Sequence, residues 1–342
     1  DQPNNPFNEG NFEAIVKMLL AVVDRQDANQ ENLRTSAYEA IDVIIRSASP
    51  SCMNLVRDLT NSVILARLSD SFRIGSNEEQ AHTQRSLVGV LHTICLKLGN
   101  DMSDQEATGI MLLFNRILSA KLASSLVEDT LLAIDGLVTA IEDRFKSYMA
   151  DFMPRLLECL HNREEYHCCK LAVEMIATLT HACPNAMQAH MNNIITCLLD
   201  NLTDDNANRV LKPVSLGAIA DVALALGGDF GVHLQKVLGI LETATLHACR
   251  FKIVEVNDWD FATYLQQLRD GILTAYAGLL QALDEGGKIS MISVQGLRFI
   301  VDMLQYLNGE VRTEAITASA LGLLGDVIRI SGEQLRGFNF SV

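Results

Sequence analysis

Turn-forming and aromatic residues are scarce in this chain of 342 residues. It contains six prolines, 21 glycines and one tryptophan, and aromatic side chains make up 6% of the sequence. A β-protein with many turns needs more residues of these types, so their scarcity favours long helices joined by short connections. Apolar residues nonetheless reach 49%, which is enough to bury a large core and excludes an intrinsically disordered chain.

Basic residues are also in the minority. The sequence contains 27 lysines and arginines and 42 aspartates and glutamates, which gives a formal net charge of −15. A surface this acidic repels the phosphates of nucleic acids and attracts basic partners, so we expect no nucleic-acid binding. Apolar residues occur in short runs, such as residues 110–114, and we therefore expect no insertion into a membrane.

Signatures of catalysis and of cofactor binding are missing as well. The sequence has no nucleophile-and-base motif, phosphate-binding loop or glycine-rich strand-to-helix turn. The densest group of metal-ligand residue types, His161, His167, Cys168 and Cys169, has no second ligand pair nearby in the sequence. The eight cysteines follow no disulfide spacing, so we expect reduced thiols in an intracellular protein. The sequence predicts no enzyme, no catalytic residues, no metal site and no cofactor.

An internal repeat runs through the chain. Met53, Met102, Phe145, Met187 and Phe230 hold equivalent positions and follow one another at intervals of 49, 43, 42 and 43 residues. A period near this length is typical of HEAT and armadillo solenoids. Each period holds two segments with apolar residues at i, i+3, i+4 and i+7, the spacing of one helix face. Two helices per unit favour HEAT, because an armadillo unit has a third helix.

We therefore predict an all-α HEAT-repeat superhelical solenoid of about seven antiparallel helix pairs. It forms a single array over 1–342, with repeats at approximately 11–48, 51–98, 103–142, 144–182, 186–226, 229–283 and 289–330. First helices are predicted near 11–23, 51–70, 103–118, 144–160, 186–200, 229–249 and 289–307. Second helices are predicted near 30–48, 79–98, 123–142, 165–182, 207–226, 259–283 and 311–330. The sixth repeat is about twenty residues too long, and unusually long connections are more often functional than structural.

Four segments of the chain resemble motifs of one known family. Residues 32–40 read NLRTSAYEA and are similar to NLRSSAYE. Residues 221–230 read DVALALGGDF and resemble GDIALAIGGEF. Residues 265–270 with 275–278 read LQQLRD and AYAG, similar to YLNELRE and AYTG. Residues 320–326 read ALGLLGD and resemble AAGLIGD. In this order and spacing the four segments resemble the importin-β (karyopherin) family of nuclear transport receptors.

The resemblance implies the carboxy-terminal half of a longer importin-β. In the family, Ran-GTP binds mainly to the amino-terminal half, which is missing from this chain. Such a protein carries cargo through nuclear pores, so the implied location is cytoplasm and nucleus, with enrichment at the nuclear envelope.

The predicted second helices carry the acidic excess on the concave side of the solenoid. The resemblance implies that this surface binds the Arg/Lys-rich importin-β-binding segment of an importin-α adaptor, or basic cargo. Trp259 can stack on an arginine or on a lysine stem, beside carboxylates that pair with the charge. The predicted adaptor-binding or cargo-binding residues are Glu128, Asp135, Asp221, Glu255, Asp258, Trp259, Asp260, Asp270 and Asp326.

The first helices offer a second surface. The resemblance implies that it binds Phe-Gly repeats of nucleoporins in apolar slots between neighbouring first helices. A single phenylalanine in such a slot contributes roughly 2 kcal/mol, which suits weak and reversible binding. The predicted nucleoporin-binding residues are Ile110, Met111, Phe114, Phe152, Met153, Leu156 and His190.

Two other functions remain open from the residues alone. A HEAT scaffold of another class, such as a phosphatase regulatory subunit, has the same two-helix repeat. An adaptor solenoid outside nuclear transport is the other alternative. Neither requires the acidic connection around Trp259.

Overall fold

The computed structural model describes residues 8–28, 32–73, 78–120, 122–310 and 312–331. Within these ranges the chain forms α-helices and short turns of 3-10 or π helix, with no β-strand. The prediction of an all-α chain is confirmed. The residues fall into two compact units, Asp1–Arg155 and Leu156–Val342, while the division into seven repeats stays a prediction.

The first unit is a layer of second helices covered by first helices. Helices α2, α5 and α7 lie side by side, with α1 on α2, α4 on α5 and α6 on α7. A π turn joins α3 to α4, so the two form one continuous helical stretch. The bounds are α1 Glu9–Val23, α2 Leu33–Ser47, α3 Met53–Leu59, α4 Leu65–Ser71, α5 Glu78–Leu98, α6 Asp104–Ser119 and α7 Ser124–Ile141. Helix α8, Met149–His161, begins in this unit and ends in the second.

The second unit repeats this arrangement. Its second helices α9, α12, α14 and α16 form one layer, while α11, α13 and α15 cover α12, α14 and α16. The bounds are α9 Tyr166–Ala182, α10 Pro184–Met187, α11 Met191–Thr203, α12 Leu211–Leu226, α13 Leu234–Ala248, α14 Trp259–Glu285, α15 Val294–Asn308 and α16 Glu314–Ser331.

Side chains about one period apart bond to each other within each unit. Arg67 donates to Asp24 over a separation of 43 residues, and Arg85 donates to Asp129 over 44. In the second unit His233 and Asn192 are 41 residues apart in the sequence, and Nε2 of His233 lies 2.9 Å from Oδ1 of Asn192. Side chains at equivalent positions of neighbouring repeats therefore contact each other, as expected for stacked repeat units of nearly constant length.

The extra length of the sixth repeat lies largely in helix α14, which is 27 residues long. This helix packs very closely on α12 at Gly278. A Cβ atom at position 278 would lie 2.6 Å from the Cβ of Ala220. The glycine therefore allows two second helices to approach more closely than a larger residue would permit.

One described stretch, Leu211–Val232, is long and apolar enough to cross a membrane by length and composition alone. Helix α12 makes up most of this stretch and packs against α9, α11 and α14. Its apolar side chains thus serve the core of the second unit, and a buried core helix satisfies the same criterion.

Candidate functional site

The predicted acidic residues of the second helices lie half-buried on their layer. In the first unit Glu128 and Asp135 both belong to α7. In the second unit Asp221, Asp270 and Asp326 belong to the neighbouring helices α12, α14 and α16. We call the solvent-facing side of α9, α12, α14 and α16 the second-helix face, and these three carboxylates are its acidic positions.

Two of these three predicted carboxylates, Asp270 and Asp326, already have hydrogen-bond partners. Asp270 accepts a hydrogen bond from the Ser319 hydroxyl at 2.7 Å. Asp326 accepts from the Gln281 amide at 3.0 Å and from Arg329 at 3.2 Å. The bonds from Ser319 and Gln281 connect α16 to α14, and Arg329 of α16 offsets part of the charge of Asp326.

Asp221 differs from its neighbours because it has no hydrogen-bond or ion-pair partner among the described residues. Burial raises the pKa of the Asp221 carboxyl above its ordinary value. On the same helix Leu224 is 40% exposed, and no atom lies within 4 Å of where a Cβ of Gly217 would be. Asp221 is therefore a partly desolvated carboxylate next to open space and an accessible apolar side chain.

The second helices of the first unit carry charges of both signs. Arg85 donates to Asp129 at 2.6 Å, and Arg46 donates to Asp42 at 2.6 Å. A groove of about 450 Å³ lies between these pairs, and Gly89 is among its lining residues. In this polar groove, Arg85 and Arg46 offset the charges of Asp129 and Asp42. The groove therefore attracts a basic partner less strongly than a surface with an unpaired carboxylate does.

Glu255 and Asp258 are exposed in the connection before α14, and Trp259 and Asp260 are exposed at the start of that helix. Trp259 is 82% exposed. Asp258 also has a structural role, because its side chain accepts hydrogen bonds from the backbone amides of Asp260 and Phe261. It is the N-cap of α14. An aspartate directly before a helical apolar pattern is a known start signal, so the sequence could have revealed this cap.

Arg269 is a residue that sequence reasoning missed. It lies on the buried side of α14 beside Leu265, Leu268 and Ile272, and its side chain is 1% exposed. The available signal was a charged residue at a core position of the helical pattern, because such a charge must find partners inside the protein.

The structure corrects the predicted orientation of the nucleoporin-binding residues. Six of the seven are buried and contribute to the core: Ile110, Met111, Phe114, Phe152, Met153 and Leu156. Helix α6 contacts both α4 and α7, so its buried surface is wide enough to include Met111 as well as Phe114. Leu112, at 67% exposed, is the residue of that run that faces solvent. His190 is half-buried.

An accessible apolar cavity lies instead in the second unit. It has a volume of about 420 Å³ and is lined by parts of α11, α12, α13 and α14. Ile240 and Ala244 of α13 contribute apolar surface, and Lys212, Asp205 and His247 add polar groups. The cavity therefore combines apolar walls with polar groups that can fix the orientation of a ligand.

The cysteine and histidine residues form no metal centre within the described ranges, where no three metal-ligand side chains converge. Cys168 and Cys169 are buried, and neither forms a disulfide with another described cysteine. The Cys197 sulfur lies 3.4 Å from Nε2 of His161, and burial raises the pKa of Cys197 to about 11. This thiol stays protonated at neutral pH, and thiols of this kind are poor ligands and nucleophiles.

Comparison with known proteins identifies the family. The model described as "Importin subunit beta-1-like, TPR repeats" matches residues 2–336. The chain belongs to the importin subunit beta-1-like family. The importin subunit beta-1 of Schizosaccharomyces pombe is 30% identical over 324 residues, which cover 92% of this chain and 37% of that protein. The chain thus spans well under half of the length of this importin relative.

Solved importin structures share the fold. The crystal structure of importin beta in an ammonium sulfate condition superposes with a TM-score of 0.86 at 26% identity, covering 98% of this chain and 39% of that one. The Kap95:Nup1 complex gives a TM-score of 0.73 at 22% identity, covering 94% of this chain and 37% of that one. The predicted HEAT-repeat solenoid is confirmed, and family membership sets aside a phosphatase regulatory scaffold.

Proposed function

We propose that this chain is part of a nuclear transport receptor that binds an Arg/Lys-rich helical segment on its second-helix face. The segment is the importin-β-binding segment of an importin-α adaptor, or basic cargo carried through nuclear pores. The receptor acts by reversible binding and not by catalysis, and it works in cytoplasm and nucleus with enrichment at the nuclear envelope. Ran-GTP binding is proposed mainly for an amino-terminal half that this chain does not include.

The observation that supports this proposal most strongly is the Asp221 carboxylate, for which the described part of the chain supplies no hydrogen-bond or ion-pair partner. A guanidinium or ammonium group that meets this carboxylate gains a charge-assisted hydrogen bond in partly desolvated surroundings. Leu224 can support the aliphatic stem of the same side chain. Asp270 and Asp326 add negative charge on the neighbouring helices. Glu255 and Asp258 in the connection, and Trp259 and Asp260 at the start of α14, remain proposed contacts of the second unit. Glu128 and Asp135 remain proposed contacts of the first unit.

Asp221→Asn should weaken binding of a labelled Arg/Lys-rich helical peptide about 5–10-fold, as expected for the loss of one charge-assisted bond. Fluorescence anisotropy at low salt measures the affinity. Asp302→Asn is the matched control, because this substitution removes the same charge. Asp302 is exposed on α15, which is one of the first helices of the repeats and not part of the second-helix face. Equal weakening by both variants would indicate a general charge effect and would contradict a site at Asp221.

The same variant should be more stable than the wild type at neutral pH. Burial raises the pKa of Asp221 in the folded state, so its ionised form costs folding free energy at every pH above that raised pKa. The advantage of Asp221→Asn should therefore shrink as pH falls below the raised pKa, and it should be absent below the ordinary pKa that the carboxyl has in the unfolded chain, because protonation then removes the same charge in both states. Urea denaturation of both proteins across acidic pH measures this difference, and a constant difference would contradict the desolvation of Asp221.

We further propose that Phe-Gly nucleoporin repeats bind in the cavity beside Ile240 and Ala244, which lies between the neighbouring first helices α11 and α13 and is also lined by α12 and α14. The Kap95:Nup1 complex, a structure of the same fold, motivates a nucleoporin partner. His190 remains a proposed contact, while the six buried residues would need the core to open before they could reach a ligand. The polar groups at the cavity can hydrogen-bond the peptide backbone next to an inserted phenylalanine.

Ala244→Leu should fill this cavity and weaken Phe-Gly peptide binding about 5-fold or more, because one methyl-to-isobutyl change takes up the space of the ligand ring. Isothermal titration calorimetry with a Phe-Gly peptide measures the affinity. Leu246→Ala is the control on the same helix, since Leu246 is exposed and does not line the cavity. Unchanged affinity in Ala244→Leu would place the nucleoporin site elsewhere.

A further inference from the structure

The connection between α13 and α14 is fastened by one buried arginine. The Arg269 side chain is 1% exposed. Its Nε and Nη2 atoms donate to the Ala248 carbonyl at 3.3 and 3.1 Å, and Nη2 also donates to the Phe251 carbonyl at 2.6 Å. A buried guanidinium is costly unless such bonds replace its water, so this side chain strongly prefers one path of the connection.

Tyr306 of helix α15 and Glu310, two residues after the end of that helix, complete the attachment. The Tyr306 hydroxyl donates to the same Phe251 carbonyl at 2.7 Å, and its ring lies 5.3 Å from the guanidinium carbon of Arg269. The carboxylate of Glu310 is 3.6 Å from Nη1 of Arg269 and accepts a hydrogen bond from the Ile253 amide at 3.1 Å. Arg269 and Glu310 therefore fix the connection from both sides.

The two ends of the connection also pack on each other. The rings of Phe251 and Phe261 meet edge to face with centroids 5.3 Å apart. The connecting residues 252–258 and the first two residues of α14 thus form a compact surface segment with closed ends, which we call the Trp259 loop. Compact surface loops of this kind are frequently functional.

The Trp259 loop presents apolar and acidic side chains to solvent. Trp259 is 82% exposed and Val254 is 71% exposed. The carboxylates of Glu255, Asp258 and Asp260 are exposed in the same loop. Nothing in the core of the unit requires an exposed tryptophan, while tryptophan on a fixed backbone is a frequent anchor of protein–protein binding.

We propose that Arg269 is a positioning residue that preforms the Trp259 loop for a basic partner segment. A lysine or arginine stem of that segment lies along the Trp259 ring, and its charge faces the loop carboxylates. This inference rests on the proposed function for the class of partner. Because the loop is already ordered, binding does not have to order it, and affinity is correspondingly higher.

The test replaces Arg269 by methionine and uses Trp259 as the reporter. Trp259 is the only tryptophan of the chain, so its fluorescence anisotropy reports the order of this loop alone. We expect Arg269→Met to lower that anisotropy and to weaken binding of the labelled Arg/Lys-rich helical peptide about 5–10-fold. Trp259→Ala should weaken binding of the peptide by a similar factor. The double variant should be no weaker than either single variant, because both remove the same interaction.

Arg144→Met is the matched control in the first unit. Its guanidinium also donates to backbone carbonyls, those of Met102 at 2.8 Å and Asn100 at 3.1 Å. The charge change is identical, so this variant should leave both the Trp259 anisotropy and the peptide affinity unchanged. Circular dichroism confirms that each variant is folded, and Arg269→Lys replaces Arg269→Met if the latter does not fold.

The outcomes separate this inference from the proposed function. Two results would overturn the positioning role of Arg269. One is an unchanged Trp259 anisotropy in a folded Arg269 variant. The other is wild-type peptide affinity in a folded Arg269 variant whose Trp259 anisotropy has fallen. If Trp259→Ala binds like wild type while Asp221→Asn binds weakly, the loop is not part of the site and only the inference fails. If the peptide does not bind the wild type at all, the proposed function fails with it.

Discussion

Phe114→Ala should lower the free energy of unfolding by about 3–5 kcal/mol, because it removes a large side chain from a packed core and leaves a cavity. Phe114 is fully buried on α6, a helix covered by both α4 and α7. Urea denaturation followed by circular dichroism measures the loss. The apolar run of α6 therefore belongs mostly to the core, with Leu112 as its exposed member, and this variant tests that interpretation.

Leu112→Ala provides the control for Phe114→Ala on the same helix. Leu112 is exposed, so its truncation should change stability by no more than about 0.5 kcal/mol. Phe-Gly peptide affinity should be the same in both variants as long as they are folded. Unchanged stability of Phe114→Ala together with lost Phe-Gly binding would show that Phe114 is a surface residue of the nucleoporin site.

Gly278→Ala should cost about 1–3 kcal/mol, as overpacking of a tight contact does. The new Cβ would lie 2.6 Å from the Cβ and 2.7 Å from the Cα of Ala220. Because one of these neighbours is backbone, α12 and α14 must move apart to relieve the contact. Thermal denaturation measures the loss, and it should be largest for the second unit, where the two helices pack.

Gly217→Ala is the same substitution with the opposite expected sign. Gly217 is in the interior of α12, and no atom lies within 4 Å of where its Cβ would be. Alanine there should stabilise the protein by about 0.5–1 kcal/mol through its better helix propensity. Stabilisation by both substitutions would show that the helices α12 and α14 are not in close contact.

Helix positions could be predicted from the sequence because apolar spacing and capping are local properties. The predicted helix 103–118 is observed as Asp104–Ser119, and 123–142 as Ser124–Ile141. Ser103 and Glu106 form a reciprocal cap, in which the Ser103 hydroxyl accepts from the Glu106 amide and the Glu106 carboxylate accepts from the Ser103 amide at 2.7 Å. Signals of this kind lie within a few residues of the helix end that they determine.

The candidate site was harder to predict because it depends on contacts between repeats. Met111 and Phe114 are buried because two neighbouring elements cover α6, and a single helix pattern does not show how many neighbours a helix has. The pairing of Asp270 with Ser319 depends on how α14 and α16 align, 49 residues apart. The difference between a paired Asp270 and an unpaired Asp221 was therefore not visible in the sequence.

The affinity of the wild-type chain for an Arg/Lys-rich helical peptide of the importin-β-binding class tests the central claim most directly. Anisotropy titrations from low salt to about 0.15 M should show binding that weakens steadily as salt screens the exposed carboxylates. A peptide of the same length with glutamate in place of each lysine and arginine should not bind. Binding that is absent at low salt, or equal for the basic and acidic peptides, would contradict recognition of a basic segment by the second-helix face.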